Sequence, residues 1–138
     1  MDISKLAEKK KLEIQKVRKN YAFALYSSIV RKTPVDTGRA RANWNISVGK
    51  EDTTTTEDTR RSPKPISQIP EPKGDESIFI SNNLPYITTL EYGGYPNPPK
   101  KDGGKTINGY SRQAPNGMVG VTLANNEAIF EAAVRSVK

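Results

Sequence analysis

The stretch from residue 3 to residue 32 constrains the fold most, because it contains neither proline nor glycine. Its apolar side chains recur at three- and four-residue spacing, the period of an α-helix. They include Ile3, Leu6, Ile14, Val17, Tyr21, Ala24, Leu25 and Ile29. Thr33-Pro34 follows, and a residue before proline avoids helical dihedral angles. We therefore predict one long amphipathic helix over residues 1–32.

The two halves of this helix differ in character. Residues 21–30 are apolar almost all round, whereas the first half is charged and carries few apolar side chains. A helix of this length spans ~45 Å, which is more than the expected width of so small a domain. We expect the second half to be buried and the basic first half to project.

Positive charge is concentrated in the same helix. Residues 1–32 hold nine basic and three acidic side chains, which is most of the net charge of +7 for all 138 residues. Such a segment can contact nucleic acid, an anionic surface or an acidic protein, or it can be a solvated helix face. Candidates for facing DNA or an acidic partner are Lys9, Lys10, Lys11, Lys16, Arg18 and Lys19.

Shorter elements follow along one domain, residues 1–138. Alternating apolar residues predict strands at 44–49 and 77–81, and Leu84-Pro85 begins a short helix that Gly93 stops. Gly103-Gly104 is a candidate hairpin tip, and residues 116–138 read as a C-terminal helix. The predicted fold class is α+β, with the long N-terminal helix and the C-terminal helix packed on a small antiparallel sheet.

Two segments predict long extended loops. Residues 50–76 contain four prolines and a four-threonine run, which is typical of a flexible arm. Residues 93–112 are also rich in proline and glycine. Long loops in compact domains are usually functional or disordered, so a plain surface insertion remains an alternative for the arm.

Composition excludes several chemistries. Without His or Cys, the chain cannot form a His- or thiolate-ligated zinc site, a Ser-His-Asp triad or a disulfide. Its paired carboxylates lie in or beside the arm, and the glycines before Lys105 lack the spacing of a phosphate-binding loop. We expect no enzyme, no cofactor and no metal.

No apolar run reaches the ~20 residues of a membrane span and the start lacks a signal sequence, so we expect cytoplasmic synthesis and no membrane.

Local roles can be assigned to several residues. Asp36 or Thr37 can cap a short helix after a turn at Gly38, and Trp44 anchors the next strand. Tyr86, Leu90 and Tyr92 can pack one helix face on the sheet, and Glu91 can pair with Arg39 or Arg41. Gly117 and Gly120 indicate close packing or an irregular first turn.

Three islands in this order carry a resemblance. They are Thr33 to Trp44 (TPVDTGRARANW), Tyr86 to Gly93 (YITTLEYG) and Gln113 to Val119 (QAPNGMV). Together they resemble the neck and tail-completion proteins of tailed bacteriophages, which include the minor tail protein Z family. The motif residues are Pro34, Asp36, Thr37, Gly38, Trp44, Tyr86, Glu91, Tyr92, Gly93, Gln113, Pro115, Gly117 and Met118.

The resemblance implies a structural virion protein at the head-tail interface, assembled in the host cytoplasm. It implies a homo-oligomeric ring, expected to be a hexamer, between a head-completion or connector protein and a tail terminator or tail tube protein. On this reading the basic helix faces an acidic ring surface or channel DNA without sequence specificity, and the arm and the 93–112 loop reach neighbouring subunits. The alternative is a small basic nucleic-acid-binding protein.

Overall fold

A computed structural model describes residues 2–99 and 104–137. The chain forms an α+β domain, which confirms the predicted fold class. In chain order the elements are α1 (Ile3–Lys32), α2 (Arg39–Ala42), β1 (Asn45–Val48), a 3₁₀ turn (Ile66–Gln68), β2 (Ile78–Ser81), α3 (Ile87–Tyr92), β3 (Thr106–Ile107), β4 (Tyr110–Ser111), α4 (Val119–Ala124) and α5 (Asn126–Arg135).

Helix α1 has the predicted extent. The Asp2 carboxylate accepts a hydrogen bond from the Ser4 N–H at 2.9 Å and caps its start. Thr33 ends it in an extended conformation before Pro34. Ala22, Tyr26, Ile29 and Val30 are buried in its second half, whereas every residue from 2 to 12 is exposed. The predicted division into a buried and a projecting half is confirmed.

Two antiparallel sheets of two strands each supply the β structure. Strands β1 and β2 pair with Ile46 opposite Ile80, and β3 pairs with β4. The turn between β3 and β4 is Asn108-Gly109, with φ of 52° and 85°. Asn-Gly is the pair favoured in a turn with two positive φ angles. The tip predicted at Gly103-Gly104 is therefore not the turn of this hairpin, and Gly103 itself lies outside the described residues.

The C-terminal segment forms two helices, so the prediction of one helix over 116–138 is wrong. Helix α4 ends at Asn125, whose φ of −105° and ψ of 18° depart from helical values. The Asn126 side chain donates to the Leu123 carbonyl at 2.6 Å, which is the kind of local bond by which asparagine competes with a helix. Helix α5 then packs along α1.

The core lies where α1 meets the β1–β2 sheet, α3 and the segment that enters α4. Tyr26, Ile46 and Met118 are its largest fully buried side chains, together with Trp44 at 6% exposure. The core is thus assembled from segments that lie far apart in the sequence.

The segment 50–76 lies against the domain and does not project from it. Ile69 and Pro72 are buried, and the Tyr26 hydroxyl accepts a hydrogen bond from the Lys64 N–H at 3.0 Å. The Arg61 guanidinium donates to the Trp44 carbonyl at 3.0 Å. These contacts fix a path for the arm, and its mobility in solution stays a prediction.

Two asparagines beside Trp44 hold the first part of the arm. The Asn43 amide is bonded to both backbone groups of Thr56, at 2.8 and 3.0 Å. The Asn45 amide donates to the carbonyls of Asp52 and Thr54. Hydrogen bonds from the Thr54 hydroxyl and N–H lower the pKa of the Asp52 carboxyl. Both faces at the start of β1 are therefore covered, one by the core and one by the arm.

Among the helices in the described parts of the chain, none is both long enough and apolar enough to span a membrane.

Candidate functional site

The three sequence islands come together in space. Gln113 joins the third to the first, because its side-chain amide accepts from the Val35 N–H at 2.7 Å and donates to the Val35 carbonyl at 3.0 Å. This two-point bond holds the backbone after Pro34 against the segment that leads into α4. We call the packed segments 33–44, 86–93 and 113–119 the three-segment cluster.

Thr33 and Trp44 close the first segment on itself. The Trp44 indole N–H donates to the Thr33 hydroxyl at 2.8 Å, and that hydroxyl donates to the Ile29 carbonyl at 2.7 Å. Arg41 donates to the carbonyls of Arg31 and Thr33, at 3.0 and 2.9 Å. Arg41 thereby satisfies carbonyls that the end of α1 leaves without helical partners. The turn between α1 and β1 is fixed by buried side chains.

Glu91 does not pair with Arg39 or Arg41, so that prediction is wrong. Its carboxylate accepts from the N–H groups of Met118, Val119 and Gly120, at 2.9, 2.7 and 3.0 Å. These N–H groups open α4 and have no partner within the helix. Arg41 is instead held by the end of α1, and Arg39 pairs with Glu57 at 3.1 Å.

Gly117 explains how the carboxylate can approach so closely. Its φ is +81°, and a Cβ at this position would overlap the Glu91 carbonyl oxygen. At Gly120 a Cβ would lie 3.4 Å from the Glu91 carboxylate. Of the two predicted alternatives, close packing is confirmed, with Glu91 as the packing partner of both glycines. Next to them Met118 is fully buried, whereas Pro115 is exposed.

Of the two predicted capping residues in the turn before α2, only Thr37 contacts the start of the helix. The Thr37 hydroxyl accepts from the Arg39 N–H at 3.2 Å, and Gly38 has a φ of +94°. Asp36 instead forms an exposed ion pair with Lys105 at 2.6 Å. Thr37 is therefore the residue that meets the start of α2, and Asp36 links this turn to the β3–β4 hairpin.

The face predicted for α3 is confirmed at Leu90 and Tyr86 and wrong at Tyr92. Leu90 is buried in the core and Tyr86 packs against it, but Tyr92 is 77% exposed. Two residues along a helix point in nearly opposite directions, so both cannot face the same neighbour. The helix packs against β4, where a Cβ at Gly93 would lie 3.2 Å from the Tyr110 ring. Tyr86 is half-buried, and burial raises the pKa of its hydroxyl.

A surface cavity of about 450 Å³ opens beside the cluster. All three islands contribute to its lining, through Pro34, Gly38, Tyr86 and Gln113 among others. The ion pair between Asp36 and Lys105 also borders it. Within the described residues, no group of three or more acidic side chains is placed to hold a metal ion.

The basic residues of α1 do not form one uniform surface. Lys9, Lys10, Lys11 and Lys16 are exposed, whereas Arg18 and Lys19 are half-buried. Arg18 donates to the Gly74 carbonyl at 3.0 Å and also to the Glu76 carbonyl. Arg18 therefore fixes the end of the arm, and the four lysines remain as the outward-facing charges of the predicted set.

The sequence did not indicate that Gln113 and Glu91 each bind backbone groups of a distant segment. Both residues belong to the motif, but their partners are backbone groups 78 and about 28 positions away.

Comparisons with protein-family models, with curated proteins and with solved structures find no match for this chain.

Proposed function

We propose that this chain is a ring-forming structural subunit of a tailed phage, which joins the head connector to the tail. The observation that carries the proposal is the convergence of the three islands. The segments that resemble the neck and tail-completion proteins are separated by about 40 and 20 residues, yet they pack into one cluster. If the chain shares the architecture of those proteins, the segments that resemble them should pack together in this way.

The bonds within the cluster suit a mechanical role. Gln113 and Glu91 each bind two or more backbone groups of another segment. Such bonds stiffen a small domain, because each joins positions that are far apart along the chain. A rigid domain with a projecting helix can make well-defined contacts with neighbouring proteins.

In this proposal the partners are other copies of the chain and the rings above and below. Six copies would form a ring at the head-tail interface of the virion. A head-completion or connector protein would lie on one side and a tail terminator or tail tube protein on the other. The exposed lysines of α1 would face an acidic surface of a neighbour or the DNA in the channel, with no sequence preference.

Complementation of assembly tests this proposal. A phage whose copy of the gene is interrupted should accumulate filled heads and finished tails that remain unjoined. Adding the purified protein to such a lysate should yield joined, infectious particles, which electron microscopy and plaque counts would measure. Normal joining without the protein, or its absence from purified virions, would contradict the proposal.

Nucleic-acid binding remains the second candidate, because Lys9, Lys10, Lys11 and Lys16 are exposed on one helix. If phosphate contacts dominated, the affinity for DNA would fall steeply as salt rises. A ring subunit needs no affinity for free duplex DNA. Fluorescence anisotropy with a short duplex at rising salt concentration separates the two functions.

A further inference from the structure

Helix α1 extends beyond the helix that packs on it. The contacts run antiparallel: Ser28 meets Thr122 at 3.1 Å, the rings of Tyr21 and Phe130 lie 5.3 Å apart, and Asn20 meets Ser136 at 3.0 Å. The described residues of the C-terminal segment thus cover about half of α1. The face of α1 that it covers continues toward the N-terminus without a described neighbour.

Beyond Lys10 this continuation carries an apolar patch that is open to solvent. Ile3 is 82% exposed and Leu6 is 42% exposed, and Ala7 lies beside them. We call these three residues the free stripe. Lys9 follows Leu6 by three residues and Lys5 precedes Lys9 by four, so the two lysines form a row along one edge of the stripe.

A groove of about 530 Å³ lies between α1 and α5. Its charged lining residues are Arg18 and the ion pair of Lys10 with Glu13 at 3.6 Å, all on α1. Its apolar lining comes mainly from Ile14, Val17, Phe130 and Val134, and Phe130 is 47% exposed. We call these four apolar residues the α1–α5 groove.

On the α5 side the groove has an acidic border, whereas Lys10, Glu13 and Arg18 lie on the α1 side. Glu127 precedes Phe130 by three residues and Glu131 precedes Val134 by three, and both glutamates are exposed. They are four residues apart and therefore form a row on one side of α5, as Lys5 and Lys9 do on α1. A pair of lysines beside an apolar stripe is the complement of a pair of glutamates beside an apolar groove.

From this complementarity we propose that the free stripe of one copy docks in the α1–α5 groove of a second copy. Lys5 and Lys9 then face the Glu127 and Glu131 of that copy, while Ile3 and Leu6 cover the groove. Pairing of two free stripes with each other is disfavoured, because it would bring like charges together. The docking and the proposed function share one requirement, that copies of the chain associate, but the docking can hold without the phage role.

Charge reversal tests the docking directly, with mass measured by sedimentation velocity and native mass spectrometry at low salt. The double variants Lys5→Glu/Lys9→Glu and Glu127→Lys/Glu131→Lys should each be monomeric where the wild type is oligomeric. An equimolar mixture of the two should assemble again, because every contact in an alternating ring or a pair is then attractive. The variant with all four reversals should assemble by itself.

Two further variants complete the design. Lys50→Glu/Lys73→Glu makes the same change in net charge at exposed positions of the arm and should assemble like the wild type. Ile3→Ser should raise the dissociation constant about tenfold, without affecting the fold of so exposed a residue. Circular dichroism confirms that each variant is folded.

Several outcomes overturn the docking. They are a wild type that stays monomeric, double variants that assemble like the wild type, or a mixture that remains monomeric. Assembly of the reversed variants together with successful complementation in phage lysates would remove the docking and leave the proposed function. The predicted mass pattern with failed complementation would do the opposite.

Discussion

At the scale of single residues, side chains that bond to distant backbone groups set the geometry of the three-segment cluster. Glu91 has a carboxylate on α3 but acts on the N–H groups that open α4. Gln113 acts in the same way on Val35. Their residue types were informative, since each can bind two groups at once, but the sequence did not give their partners.

Glu91 is the first residue whose loss should be measurable. Glu91→Ala leaves three N–H groups without an acceptor and should lower the free energy of unfolding by about 2 kcal/mol. Glu91→Gln keeps one acceptor oxygen and should cost about half as much. Urea denaturation measures both. Glu8→Ala, at an exposed position of α1, is the control, and an equal loss there would contradict the assignment.

Gly117 and Gly74 form a matched pair of glycines with positive φ. At Gly74, with φ of +57°, a Cβ would meet nothing within 4 Å, so Gly74→Ala should cost about 1 kcal/mol in backbone strain. Gly117→Ala adds an overlap with the Glu91 carbonyl oxygen and should cost about 3 kcal/mol. Thermal unfolding followed by circular dichroism compares them. Equal losses would show that Glu91 is not packed against Gly117.

At the scale of elements, α1 is one helix with two environments. Its sequence period continues over both halves, but α4 and α5 cover the second half alone. Most helical stability in proteins comes from tertiary packing, so the two halves should contribute unequally. The same difference leaves the free stripe open for a second copy.

Alanine substitutions along α1 test this division. Ile29 is 3% exposed, and Ile29→Ala should lower the free energy of unfolding by about 3 kcal/mol. Leu12 is 56% exposed and lies off the free stripe, so Leu12→Ala should change stability by less than about 0.5 kcal/mol. Chemical denaturation at one protein concentration gives both values. A large loss at Leu12 would mean that the first half of α1 is packed in solution.

At the scale of the whole molecule, the arm is the part for which composition and structure differ most. Proline, threonine and mixed charge predicted a flexible extension, yet the segment lies against the domain through Ile69, Tyr26 and Asn43. Composition reports how little apolar surface a segment can bury. It does not report that a few bonds to a folded domain can hold the segment in place.

Tyr26→Phe tests how firmly the arm is held. The substitution removes the acceptor of the Lys64 N–H and should lower stability by about 1 kcal/mol. Trypsin should then cleave faster after Arg60 and Arg61, because the arm opens more often. Tyr92→Phe is the control, as Tyr92 is exposed. Unchanged cleavage in Tyr26→Phe would show that this bond does not restrain the arm.

The sequence by itself determined the extent of α1, the positions of β1, β2 and α3, and the α+β class. These features depend on local periodicity, on proline and glycine, and on the length of apolar runs, all of which act between near neighbours. Asn125-Asn126 also marks the weak point of the last helix in the sequence, but the sequence did not show that the bond from Asn126 to the Leu123 carbonyl divides the helix there.

Tertiary structure alone decided which groups Glu91, Gln113 and Arg18 bind, that Tyr92 of α3 is exposed, and where the arm lies. Those outcomes depend on which distant backbone groups remain unpaired after the elements pack. A sequence pattern lists the donors and acceptors, but packing chooses among them.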